Sequence, residues 1–303
     1  MPVASSSSSH LEPVMPTTSL SSPPIVLTIA GSDSGGGAGI QADIKTISAT
    51  GSYACSAITA ITSQNTLGVS AIFPIPIKHI ESQLDAIFCD LNVAAVKIGM
   101  LADSQIIHAV ADKLRQYHPP FVVLDPVMVA TSGDVLLQNE AINHLKQYLF
   151  PLATVITPNL PEAAVLTGEP LPENESELSQ LVSALQQLPC QAALLKGGHF
   201  TQSSHSNDWL ITKQQVHCFS ADRIQTSNTH GTGCTLSSAI TSYLAQGQPL
   251  EQAIHSAKHY ISQALFYADQ LHVGQGHGPV HHFYEANPTP LSSIPSILEK
   301  KKR

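Results

Sequence analysis

The sequence predicts an α/β protein built on a mostly parallel sheet. Three observations carry that prediction. Short, continuously apolar runs recur along the chain, and each closes on a polar residue or a glycine. A glycine-rich loop follows the first run and leads into a helical pattern. Two amphipathic segments then close the patterned part of the chain. Strand, loop and helix in succession open folds of the βαβ type. A run that is apolar throughout suits a strand covered by helices on both faces.

The first run spans residues 25–30, and residues 31–39 form the glycine-rich loop. Ile40, Ile44 and Ile47 recur at helical spacing, and Gly51 ends that segment. Four later runs repeat the arrangement. Residues 94–98 precede Gly99 and Met100, and residues 121–124 precede Asp125. Residues 154–156 precede Thr157 and Asn159, and residues 192–195 precede Lys196. Ligands of open parallel sheets bind just beyond the carboxyl ends of the strands. Asp125, Thr157, Asn159 and Lys196 are therefore candidates to converge on one crevice, although each taken singly reads as well as a strand terminator. Residues 235–246 place Leu236, Ala239, Ile240, Tyr243 and Leu244 on one helical face, with Gly247 as the stop. Residues 250–268 do the same with Leu250, Ala253, Ile254, Ala257, Ile261, Ala264 and Leu265. Such stripes face a core.

Composition narrows the function. The 303 residues are 43% apolar and 12% charged, with a formal net charge of -8. An acidic chain without a basic stripe is a poor partner for nucleic acid or an anionic membrane. No apolar run approaches the roughly 18 residues of a membrane span. The five cysteines (55, 89, 190, 218 and 234) are odd in number, scattered and without a C-x-x-C pair. That pattern predicts a reducing, cytoplasmic setting rather than a disulfide scaffold or a structural zinc site. His281 and His282 are adjacent, but no H-E-x-x-H exists. Residues 1–24 are rich in Ser, Pro and Thr, lack Lys and Arg, and read as a disordered tail without targeting features. Residues 288–303 end in three lysines and an arginine and read as a flexible basic tail. Residues 25–287 remain as one domain of ordinary size.

The first glycine loop fails two nucleotide fingerprints. Gly37, Gly39 and Ala42 match G-x-G-x-x-A, but a dinucleotide site also wants an acidic residue about 20 positions on. None occurs between Asp43 and Glu81. Gly31 and Gly36 have Walker A spacing, but Gly37 stands where Lys is required. The loop instead suits close approach of backbone to a small substrate. The second glycine segment, residues 228–235, directly precedes an amphipathic helix. Gly231 and Gly233 free backbone N–H groups to point at an anion, and the helix N-terminus adds a favourable dipole. Cys234 sits beside the first turn, where a thiol pKa is typically lowered. A small packing residue is the equally weighted alternative.

These motifs resemble one family. TIAGSDSGGGAGIQAD at 28–43, ITSQNT at 61–66, KIGM at 97–100, LDPVM at 124–128, TPNLPE at 157–162, LKGGH at 195–199 and THGTGCT at 229–235 are similar to the bacterial-type hydroxymethylpyrimidine/phosphomethylpyrimidine kinases of thiamin biosynthesis. The resemblance runs from about residue 25 to about residue 284. It implies a three-layer α/β/α ribokinase-like fold with a central, mainly parallel sheet. It implies ATP- and Mg²⁺-dependent phosphorylation of 4-amino-5-hydroxymethyl-2-methylpyrimidine, first to the monophosphate and then to the diphosphate. The pyrimidine is expected near Gly31, Asp43, Gln64, Met100 and Val127. Asp125, Thr157, Asn159, Lys196, Thr229 and His230 are expected around ATP and its phosphates. Asn159 and Glu162 match an N-x-x-E element that helps hold Mg²⁺, partly through water. Gly231, Thr232 and Gly233 would form the anion hole with Cys234, whose thiolate stands where most superfamily relatives carry Asp as catalytic base. Residues 131–134 would belong to a flap over the site, and the assembly would be a homodimer. The nearest rival is a pyridoxal or pyridoxine kinase, whose substrates are also flat heteroaromatics with a hydroxymethyl arm. A silent binding protein on the same fold is the rival from another class, and the intact Gly231–Cys234 turn, Asn159 and Glu162 speak against it.

Overall fold

The computed structural model describes residues 22–128, 139–198, 200 and 203–286. Both predicted tails, apart from residues 22–24, and the predicted flap at 131–134 lie outside the described residues. The elements run in the order β1 (Ile25–Asp33), α1 (Gly39–Ala49), β2 (Tyr53–Asn65), β3 (Gly68–Pro74), α2 (Ile77–Asp90), β4 (Val93–Ile98), α3 (Ser104–Tyr117), β5 (Val122–Leu124), α4 (Asn139–His144), β6 (Val155–Ile156), α5 (Leu160–Thr167), α6 (Leu178–Leu185), β7 (Ala192–Lys196), β8 (Asp208–Thr212), β9 (Val216–Phe219), α7 (Thr232–Ala245) and α8 (Leu250–Phe266).

One nine-stranded sheet has the order β3-β2-β1-β4-β5-β6-β7-β8-β9. The strands from β2 across β1 to β7 are mutually parallel. Antiparallel strands extend both edges: β3 beside β2, and β8 then β9 beside β7. All five predicted strands lie in the parallel part. The four strands without a sequence prediction are β2 and the three antiparallel ones.

Period-two alternation divides the strand residues between two helical layers. Val122 and Leu124 of β5 join the cluster containing Ile80 and Leu84 of α2 and Ile106, Val110 and Leu114 of α3. Val123 between them joins Leu236 and Ile240 of α7 and Ile254 and Ile261 of α8. The three-layer expectation therefore holds. The first strand is longer than its apolar run, because Ser32 and Asp33 still pair with Ile61 and Thr62 of β2. Helix α7 starts at Thr232, three residues before the expected segment 235–246. That extension puts Cys234 inside the first turn.

One residue breaks the apolar pattern of β4. Lys97 has no exposed surface, and its Nζ donates to both carboxylate oxygens of Asp43 at 2.9 and 2.8 Å. Thr28 of β1 and Ser238 of α7 donate to the same carboxylate at 2.6 and 2.8 Å. Thr28 and Lys97 are register partners on adjacent strands. Four elements thus meet at one buried carboxylate. Burial alone would pull the Lys97 pKa down. Asp43, with smaller help from Cys234 and Asp125, reverses that and holds it above the ordinary lysine value. Replacing Lys97 by Met leaves Asp43 charged and uncompensated, a loss of about 3–5 kcal/mol. Urea unfolding of Lys97→Met checks this; a loss below about 1 kcal/mol, the scale of a solvent-exposed pair, would sink it.

Candidate active site

Strand β1 is where the sheet changes direction, with β2 on one side and β4 on the other. Such switch points leave a crevice beyond the carboxyl ends of the strands. Here the crevice is a cavity of about 770 Å³. Gly31, Gln64, Met100 and Val127, expected around the substrate, line it together. Asp125, Asn159, Glu162, Lys196, Thr229, His230 and the Gly231–Cys234 turn also line it.

Two expected residues stand elsewhere. Asp43 is wholly buried in the Lys97 pair and does not line the cavity, so its hydrogen-bonding capacity is spent inside the protein. Thr157 is also wholly buried, and its Oγ1 donates to Asp125 Oδ1 at 2.9 Å. It orients a lining residue from behind.

The phosphate-side geometry follows from how α7 begins. Its N-cap is Gly231 with φ of 80°, and no side chain caps the helix. Helices α3 and α5 begin differently: Asp103 accepts from Ile106 N–H at α3, and Asn159 and Glu162 form a reciprocal capping box at α5. An uncapped helix start leaves first-turn N–H groups for an external anion, although here the Thr232 N–H already donates to Thr229 O at 3.2 Å. A β-carbon on Gly231 would overlap the Gly37 carbonyl oxygen, so only glycine permits the two loops to touch. A β-carbon on Gly233 would lie 3.5 Å from both Asp125 Oδ2 and Lys196 Nζ, which puts that ion pair directly across the turn.

Lys196 Nζ bonds Asp125 Oδ1 at 2.8 Å and lies 3.9 Å from Glu162 Oε2. Burial opposes the charge on Asp125, but Lys196 and then Lys97 outweigh it and hold this carboxyl below its usual range. Burial likewise opposes the charge on Lys196, and Asp125 and Glu162 reverse it. Burial pushes Glu162 up to about 7; Asp125 adds to the rise, and Lys196 opposes it.

Cys234 departs from the dipole argument. Burial pushes its thiol up to about 11, with Lys97 opposing and Asp43 and Asp125 adding. The Gly39 N–H, which donates to the sulfur, is a smaller lowering influence. At this helix start desolvation outweighs the favourable end of the helix.

The sequence reading missed several lining residues. The Asp33 carboxylate accepts four hydrogen bonds. Lys258 of α8 pairs with Asp208 of β8 at 2.6 Å, both nearly buried. Arg223 gathers the carbonyls of Gly198, Phe200 and Ser203 at 2.8–2.9 Å. Asp33 had a signal, because Asp before a glycine run favours turns through its own carboxylate. The other three had none, since their partners lie far along the chain.

The fold and this site define a class: ribokinase-like phosphotransferases, with a small-molecule crevice at the sheet's switch point and a glycine turn opening a helix toward it. The phosphomethylpyrimidine kinase family model matches residues 33–281, and the chain belongs to that family. It is 50% identical over 260 residues to the hydroxymethylpyrimidine/phosphomethylpyrimidine kinase of Rhizobium meliloti (strain 1021), covering 86% of this chain and 97% of that one. Among solved structures, the phosphomethylpyrimidine kinase of Clostridium difficile 630 is 44% identical with a TM-score of 0.70, covering 80% of this chain and 99% of that one. The Bacillus subtilis pyridoxal kinase, solved as an ADP complex, is 36% identical with a TM-score of 0.79, covering 86% of this chain and 98% of that one. Among the described residues no helix is long and apolar enough to cross a membrane.

Proposed function

We propose that this chain uses ATP to phosphorylate 4-amino-5-hydroxymethyl-2-methylpyrimidine and then its monophosphate. Half identity to a relative of that name, over 86% of this chain and 97% of that one, is the observation that carries the reading. The cavity suits it. Met100 and Val127 offer apolar contact to a flat ring, and Gln64 offers amide donors and acceptors for its polar edge. The acceptor hydroxyl lies toward Gly31, and the transferred phosphate toward the Gly231–Cys234 turn. Phosphoryl transfer is mainly positioning and charge stabilisation. The first-turn N–H groups and Lys196 meet the developing charge.

Mg²⁺ fits the donor set in one respect. Asp125, Asn159 and Glu162 present hard oxygen atoms, the kind this cation takes. Among the described residues no group of three His, Cys, Asp or Glu is placed to hold a metal ion alone. The fit is therefore to an ion that reaches the protein through water and substrate phosphates, where it would neutralise phosphate charge. Glu162→Gln is expected to raise the Mg²⁺ concentration for half-maximal rate about tenfold. A Mg²⁺ titration giving the same midpoint for both proteins would remove Glu162 from that role.

Cys234 is the proposed general base. With its thiol pushed up to about 11, the thiolate fraction grows throughout the neutral and mildly alkaline range. The rate is therefore expected to climb with pH between 7 and 10. Cys234→Ser is expected to lose about 10²–10⁴ in kcat and that climb with it. A flat wild-type profile with near-full kcat in Cys234→Ser would leave positioning alone as the turn's contribution.

A second reading has an observation behind it, because solved relatives at 36% identity include a pyridoxal kinase. Mass-spectrometric product analysis with MgATP and hydroxymethylpyrimidine, pyridoxal or pyridoxine in parallel separates the two. Successive mono- and diphosphorylated pyrimidine is the expected result. Phosphate on the pyridine substrates alone would move the protein to the second reading.

A further inference from the structure

Asp33 ends β1 with a carboxylate that has four donors. Gly35 N–H reaches Oδ1 at 2.8 Å, and Gly37 and Ala38 N–H reach Oδ2 at 3.0 and 2.8 Å. These three belong to the loop that follows β1. The fourth belongs to the turn before α7: His230 Nε2 lies 2.9 Å from Asp33 Oδ2. A carboxylate can only accept, so Nε2 carries the proton. Both side chains are nearly buried, at 2% and 9% exposed. The His230 backbone is held separately, its N–H donating to Gly278 O at 3.0 Å. Burial works against the charge on Asp33. His230, then Ala38 and Gly35, outweigh it and hold this carboxyl below its ordinary value.

The two loops are also in backbone contact. A β-carbon on Gly37 would overlap the His230 ring, and one on Gly231 would overlap the Gly37 carbonyl. One loop lies at the acceptor end of the cavity, and the other opens the helix whose N–H groups face the phosphate. The Asp33–His230 bond is the side-chain link that ties one to the other.

We propose that Asp33 is a positioning residue for phosphoryl transfer, fixing through His230 the separation between the acceptor loop and the anion turn. The physical need is plain. Reacting atoms must be held about 3–3.5 Å apart, and a misplacement of about 1 Å costs on the order of 10²-fold. Neither Asp33 nor His230 exchanges a proton with substrate in this scheme. The inference rests on the reading of residues 231–234 as the phosphate side.

The test is steady-state kinetics with thermal midpoints for Asp33→Asn, His230→Leu, His230→Gln and the Asp33→Asn/His230→Leu double variant. Asp33→Asn and His230→Leu are each expected to lower kcat about 30–100-fold, with the KM for ATP within about threefold. The double variant is expected to be no worse than the poorer single one, because both remove one contact. His230→Gln keeps an N–H donor and is expected to recover kcat to within about fivefold of wild type. Lower thermal midpoints with unchanged kcat per folded molecule would reduce the pair to a structural tie and overturn the proposal. Multiplicative losses in the double variant would overturn it too. If Asp33→Asn fails to fold, the contrast between His230→Leu and His230→Gln decides alone. Full kcat in Asp33→Asn with kcat lost in Cys234→Ser overturns this inference only; full kcat in both overturns the reading of the turn as well.

Discussion

A lysine without exposed surface organises the half of the molecule that carries the site. Lys97 sits inside a strand, where an apolar residue would complete the pattern, and Asp43 is its counterion. A buried pair of this kind is weak as a source of stability, because desolvation consumes much of the attraction. What it supplies is a fixed relation between elements. Thr28, Asp43, Lys97 and Ser238 come from β1, α1, β4 and α7, and their polar atoms satisfy one another within 2.9 Å. Ser238 is one turn along α7 from Cys234, so the same contact sets the helix rotation that faces Cys234 toward the cavity. The absent β-carbon of Gly99 belongs to this arrangement, since one there would stand 2.7 Å from Lys97 Nζ.

Two further ion pairs extend the logic along the cavity. Lys196 with Asp125 faces the anion turn, and Lys258 with Asp208 stands on the β8 and α8 side. Each lysine has its carboxylate already in place. On the proposed function, a phosphate entering this crevice would meet cations whose positions are set beforehand, which is how preorganised charge acts.

Five of the six parallel strands were legible because they are largely buried and read as apolar runs, broken in β4 only by Lys97; β2, exposed or half-buried at most positions, was not. The antiparallel edges were not. Strand β3 is exposed over most of its length, and β8 opens with Asp208, a charge whose partners, Lys258 and the Gly197 N–H, lie far from it in sequence. Gly31, Gln64, Met100 and Val127 came from motif resemblance, and the fold brings them to one cavity. Asp43 belongs to the same motif but is buried behind Lys97, which lines the cavity in its place. A carboxylate after a glycine loop looks identical whether it meets a ligand or a lysine. The distinguishing signal was Lys97 within the apolar run 94–98, since a lysine in a doubly covered strand requires a buried counterion.

Cys234 shows why position in a helix is an incomplete guide to reactivity. The helix start favours thiolate, and Lys97 favours it too, but desolvation and two nearby carboxylates act in the opposite sense and prevail. The consequence reaches the electrostatics of the whole crevice. A carboxylate at position 234 would add a third negative charge beside Asp43 and Asp125, across from the place where the proposed function puts the phosphate. A thiol held near 11 adds none at neutral pH. The anion turn then meets its ligand without repulsion from the base. On the proposed reading only the thiolate fraction can take the acceptor's proton, becoming the neutral thiol as the new P–O bond forms, so the high thiol pKa that spares the phosphate repulsion also keeps the competent fraction small at neutral pH.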